Sequence, residues 1–276
     1  MNYNRKDSKL GSFLFIPVYL SLMKLKGLSL KITILCSITL FVLNNQKVSA
    51  QNKMRSIEEL TVDTSGWPYV KDLLKTAKNK IEVLPADPIR AKEALYQAQV
   101  TTRSTMGAII YFTGGVLIDN GWVRILGSGN ERLNRSLPEW NKGKSFTTYG
   151  EQPKFLLIAD DAVGGFFAIN GGGLGEDVGN VYYLSPDTLK WESLERGYTD
   201  FLDFCLTGDL SKFYTGLRWD NWLSDVKNMS GTSGFHILPP LWTKEGKDIN
   251  KDSRKSVPIQ ELYDLTIDTI AQLKKQ

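Results

Sequence analysis

The sequence predicts an α+β domain, a central antiparallel or mixed sheet flanked by N-terminal and C-terminal helices, from the order of its hydrophobic patterns. Helical periodicity comes first, within residues 65–113. Short β-rich runs then follow one another from 116 to 193, and helical spacing returns at 198–206 and 258–274. Strands that follow each other without intervening helices pair antiparallel, because parallel neighbours need long crossovers.

Residues 65–79 set Trp67, Val70, Leu73, Leu74 and Ala77 on one helical face, with Ser65 as a cap and Pro68 in the tolerated first turn. Asp87-Pro88 is a second start signal, an N-cap followed by the preorganised φ of proline, and Ile89 to Leu95 continues it. Ser104 to Thr113 reads equally as helix or strand, since Ile109 to Phe112 is an unbroken apolar run. Gly114-Gly115 closes it in either case.

Val116–Ile118 and Trp122–Ile125 flank Asn120-Gly121, a dipeptide suited to the positive φ of a type I′ turn, so they predict a hairpin. Residues 155–158, 165–169, 181–184 and 189–193 are the further strands, and the polar stretch between Leu126 and Lys154 is a loop. Phe201, Leu202 and Cys205 share one helical face. So do Ile259, Leu262, Tyr263, Ile267, Ile270 and Leu273.

The first fifty residues are of another kind. Read from Met23, a basic stretch precedes the apolar run Ile32–Leu43 and then Val48-Ser49-Ala50, the pattern of a secretory signal peptide cleaved after Ala50. Residues 1–22 are then an upstream extension from a misplaced start codon, 23–50 the signal peptide, and 51–276 a single exported domain, periplasmic or secreted. The alternative is an uncleaved membrane anchor; otherwise the membrane is met only in transit. Both apolar runs of this region, Ser12–Leu22 and Ile32–Leu43, fall short of the roughly 20 residues that span a bilayer.

The net charge of +4 also belongs to this region, which carries seven Lys or Arg and one acid; the remainder has 27 basic and 29 acidic residues. A net charge of −2 argues against nucleic acid, whose phosphates require a basic face. Cys205 alone remains after cleavage, so no intramolecular disulfide is available, and His236 is the only histidine. A Cys/His zinc site ordinarily takes four such ligands, so no cofactor is expected.

The runs Val83–Pro88, Gln99–Ser104, Gly121–Gly127, Arg135–Trp140 and Gly165–Asp177 resemble the uncharacterised bacterial family catalogued as domain of unknown function 2625, over about Ile57 to Leu265. A more distant likeness joins Phe155–Asp161, Gly164–Ile169, Val181–Leu184 and Tyr198–Leu202. This order is similar to the SUKH superfamily, in which a buried strand ends in an acidic turn, two strands follow, and a helix bearing Phe-Leu closes the sheet. Thr113-Gly-Gly115 stands where that superfamily tends to have Asn-Gly-Gly. The SUKH likeness implies an immunity-like module that binds a protein partner.

Three segments carry the candidate site residues. Asp160-Asp161 is most simply a strand-ending turn, but with Glu176-Asp177 it forms two acid pairs. Facing each other, these would serve glycosidic cleavage or hold a divalent cation. The glycine-rich stretch containing Gly171, Gly172 and Gly173 lacks the Lys-Ser/Thr of a P-loop; it reads as a flexible β-connection or a loop that lets a partner approach its backbone. Arg218, Trp219 and Trp222 mix charge with aromatic rings, as recognition patches do. Cys205 on an apolar helix face is a buried small hydrophobe, and His236 a structural residue. The expected function is therefore non-catalytic binding of a macromolecule, with a cell-envelope glycan hydrolase as the alternative.

Overall fold

The computed structural model describes residues 54–227 and 229–275, so the presequence lies outside the described residues. Seven strands form one antiparallel sheet in the order β1 to β7: Ile81–Pro85, Thr113–Ile118, Val123–Leu126, Phe155–Asp161, Phe166–Asn170, Val181–Leu184 and Trp191–Ser193. Every strand pairs with its sequence neighbour. The central strands are buried on both faces because helices cover the sheet before and after the meander, and their apolar side chains fill the core.

The N-terminal helices are α1 (Ile57–Leu60), α2 (Trp67–Lys75), α3 (Pro88–Ala98) and α4 (Thr105–Phe112). Ser65 does not cap α2. Gly66 takes that place, because its backbone packs so close to Arg103 that a Cβ would lie 2.6 Å from the carbonyl oxygen. The helix also stops before residue 79, since the amides of Lys78 and Asn79 turn to the Leu206 carbonyl. Asp87 caps α3 as expected, accepting from the amides of Ile89 and Arg90 at 2.9 Å.

The ambiguous run is helix α4, capped by Ser104, and the chain passes directly into β2. Gly114 and Gly115 lie within that strand and do not break it. A Cβ on Gly114 would lie 2.8 Å from the Pro85 carbonyl oxygen of β1, so glycine permits the close strand approach. The next connection runs from Asp119 to Trp122, with Asp119, Asn120 and Gly121 all at positive φ and Ile118 opposite Val123. It is longer by two residues than the expected turn.

The stretch 127–154 holds a short helix, α5 (Leu137–Asn141), opened by a capping box between Ser136 and Glu139. Buried Asn141 fastens it to β4 by exchanging hydrogen bonds with the Leu157 backbone at 2.7 and 2.8 Å. After the meander come α6 (Tyr198–Thr207), α7 (Leu210–Phe213) and α8 (Trp222–Lys227). A second, two-stranded sheet, β8 (Ser233–Leu238) with β9 (Ser253–Pro258), precedes α9 (Ile259–Leu273). Ile259, Leu262 and Tyr263 of α9 are buried and Ile270 is partly buried against the core, but Ile267 and Leu273 are exposed, so the second half of the predicted apolar face is only partly covered among the described residues. No helix of the described residues is long and apolar enough to cross a membrane.

Candidate functional site

Asp160 and Asp161 are the last residues of β4 and are fully buried; the expected acidic turn is strand. Asp160 lies opposite Arg124 of β3 and accepts from its Nε at 2.5 Å, while Arg135 donates to the other oxygen. The two guanidiniums reach further. Arg124 donates to the carbonyls of Asp161 and Ser233, and Arg135 to that of Gly231 at 2.7 Å. The network ties the large sheet to β8, and the charges are compensated where desolvation would otherwise be costly.

Asp161 organises the β4–β5 turn. Its Oδ1 accepts from the amides of Gly165 (2.7 Å) and Val163 (3.1 Å), and its Oδ2 from the Tyr183 hydroxyl at 2.8 Å. Burial pushes its carboxyl pKa up, against the pull of these donors and of Arg124. A Cβ at Gly165 would lie 2.3 Å from Asp161 Oδ2 and 2.4 Å from the Tyr183 hydroxyl, so only glycine leaves room for this bond.

The second acid pair divides its labour. Asp177 accepts from Ser193 Oγ at 2.6 Å, from the Tyr182 hydroxyl and from Asn180 Nδ2 at 2.9 Å, which together hold its carboxyl well below the usual aspartate range. Glu176 is exposed, and its side chain forms no hydrogen bond among the described residues. Tyr182 and Tyr183 are successive on β6 and point to opposite faces. Asp161 and Asp177 therefore serve opposite faces of the sheet. They also belong to different connections, Asp161 to the β4–β5 turn and Asp177 to the β5–β6 connection. The expectation that the two pairs face each other is corrected: they are not placed to flank one bond.

The glycine loop is structured by its own amides. Gly171 and Gly173 donate to the Lys154 carbonyl at 2.8 and 2.9 Å, and Gly172 and Leu174 to Asn170 Oδ1 at 2.8 and 3.0 Å. These amides are engaged within the loop, as in a structural β-connection, while Gly171, Gly172 and Gly173 remain exposed. Gly171 is glycine because a Cβ would sit 2.2 Å from the Pro153 carbonyl oxygen, and Gly172 because its φ is +97°.

The Arg218 segment is likewise not a surface patch. Trp219 is 2 % exposed and its Nε1 donates to Asp225 at 2.7 Å. Arg218 pairs with Asp119 at 2.6 Å and lies over Trp222 and Trp122 at 4.1 and 4.7 Å. It is a cation packed between aromatic rings that locks the β2–β3 connection to α8. Cys205 is buried, and burial pushes its thiol pKa up, so it supplies no thiolate. Among the described residues no group of three or more His, Cys, Asp or Glu is placed to hold a metal ion.

The groove most suited to a ligand was not singled out by sequence patterns. A cavity of about 350 Å³ lies between β8, α9 and the segment 239–242, with Leu189 and Pro186 at its border. Among the described residues no Asp, Glu, Lys or Arg lines it; His236, Thr266 and Thr269 are its polar side chains. Leu238, Trp242 and Leu265 stand 49 %, 39 % and 48 % exposed around it. The sequence signal was Leu238-Pro-Pro-Leu-Trp242, an apolar run broken by prolines, together with Leu265 beside the predicted core face of the last helix.

The chain matches the family described as "Protein of unknown function DUF2625" over residues 57–262. It is 46% identical to the uncharacterised protein YbfG of Escherichia coli K12 over 213 residues, 77% of this chain and 95% of the relative. An uncharacterised protein of Haemophilus influenzae Rd is 42% identical over 217 residues, 78% of this chain and 92% of the relative. The chain belongs to the DUF2625 family.

Proposed function

We propose that the domain is an exported, non-catalytic binding module whose β8–α9 groove receives an apolar segment of a protein partner. The carrying observation is the groove itself: an uncharged lining ringed by three exposed large apolar side chains. Contiguous exposed apolar surface of this kind costs solubility and is kept where it is used. An uncharged lining favours an uncharged occupant, and Trp242 at the rim is the residue type that dominates binding energies. Catalysis lacks comparable support, because the buried acids are consumed by structural bonds and His236 has no acid beside it in the groove lining. An immunity-like role, as the SUKH likeness implies, is one form such binding takes.

Selection of a displayed random peptide library on the intact domain tests this reading. Apolar peptides that bind wild type and fail on Leu265→Asp support it; peptides insensitive to that change, or turnover of cell-wall fragments, contradict it. Export rests on residues 23–50, and mass spectrometry of the protein from its native host should find Gln51 at the N-terminus. Retention of Met1 or Met23 would contradict export.

A further inference from the structure

The backbone of β8 alternates between its two edges. Pro258 stands opposite Ser233, where a residue without an N–H fits a pair that exchanges no hydrogen bonds, and the register runs unbroken from there to Leu238 opposite Ser253. The ladder to β9 is therefore made by Gly234, His236 and Leu238, while the N–H and C=O groups of Ser233, Phe235 and Ile237 point to the other edge. Two bonds fix this parity: Phe235 donates its amide to the Ala162 carbonyl at 2.7 Å, and the Ser233 carbonyl accepts from Arg124. Ile237 is the exception on that edge. Neither its N–H nor its C=O has a hydrogen-bond partner among the described residues.

The apolar groove runs along this edge. Val163 and Gly164, which follow Ala162 in the chain, line it, and so do four consecutive residues of β8, Phe235 to Leu238. Successive strand residues send their side chains to opposite faces, so a cavity bordered by all four lies beside the edge of the strand and not over one face. The segment that covers Phe235 turns away at Gly164, whose φ is +80°, and does not reach Ile237. Ile237 is 4 % exposed and lines the groove, which is where its edge groups meet water.

This backbone pair selects among apolar occupants. Covering an N–H and a C=O costs free energy unless both are paired again. A helix spends its backbone groups internally and an aliphatic chain has none, so either would strip water from Ile237 and return nothing. An extended segment brings an acceptor for the N–H and a donor for the C=O, and it sends alternate side chains to either side of the new pairing. On the α9 side those side chains meet Leu262 and Leu265. Resting on the reading that the groove receives an apolar segment, we infer that this segment binds as an added β-strand, paired through its backbone to Ile237 at the free edge of β8. The partner it fits is a chain with an unpaired extended stretch that carries apolar side chains at every second position.

Amide hydrogen exchange of the intact domain, with and without an apolar peptide selected on it, tests this. The Ile237 amide should exchange faster than the ladder-paired amide of His236, and it should slow at least about tenfold when the peptide binds. Methylating single peptide nitrogens removes donors and leaves the side chains unchanged. Affinity should fall about tenfold or more at alternate positions of that series and hold at the positions between them. A peptide that fails on Leu265→Asp yet leaves Ile237 exchange unchanged overturns the added strand and leaves the groove reading standing. So does tolerance of methylation at every position, or losses at consecutive positions, the pattern of a bound helix. Peptides indifferent to Leu265→Asp overturn the groove reading, and the added strand with it.

Discussion

Arg124 and Asp160 face one another across β3 and β4 as an ion pair closed to solvent, 2.5 Å from Nε to Oδ1. The guanidinium also bonds the backbone of β8, so the pair positions the strand that forms one wall of the apolar groove.

Replacing Asp160 by alanine leaves two guanidiniums buried without their counter-charge. Breaking a buried pair from one side costs about 3–5 kcal/mol, measurable by urea unfolding. Glu176→Gln, at an exposed position, should stay within about 0.5 kcal/mol. A small effect at Asp160 would mean the two arginines find other partners.

Asp177 should give the glycine loop an acid-sensitive anchor. Its folded pKa lies below the ordinary aspartate value of 3.8. The stability it contributes is therefore fully present above that value and is lost as pH falls through it toward the lower folded value. The melting-temperature gap between wild type and Asp177→Asn should accordingly be widest near neutrality and close in acid. A gap that does not change with pH would show that the charge is not what Ser193, Tyr182 and Asn180 hold.

Arg218→Ala should destabilise without altering recognition. It removes the Asp119 pair and the contacts with Trp122 and Trp222, worth about 2 kcal/mol or more where the cation is desolvated. Affinity for a groove-binding peptide should stay within about twofold of wild type. A loss of affinity at unchanged stability would restore this segment as a recognition patch.

These residues mark where the sequence was legible. The meander, the Asp87-Pro88 start, and the buried faces of α6 and the first half of α9 are written in local periodicity and capping, so they are read from neighbours a few residues away. Edge strand β1 was missed because Ile81 to Pro85 alternates weakly and ends in proline. The acids and the Arg218 cluster were misplaced for a different reason. Composition alone does not separate an exposed charged or aromatic group from one whose partner arrives from 99 residues away, as Asp119 does for Arg218. The groove was illegible on the same ground, since it is assembled from segments that touch only after β8 docks on the sheet.

The most direct test is calorimetric titration of an apolar peptide, selected on the intact domain, into wild type, Trp242→Asp, Leu265→Asp and the off-groove control Ile267→Asp. One peptide should bind per domain with a negative heat-capacity change, the mark of apolar burial. Affinity should fall at least about tenfold in the two groove variants and hold in the control. Equal affinity for wild type and both groove variants would contradict a binding module that works through the β8–α9 groove.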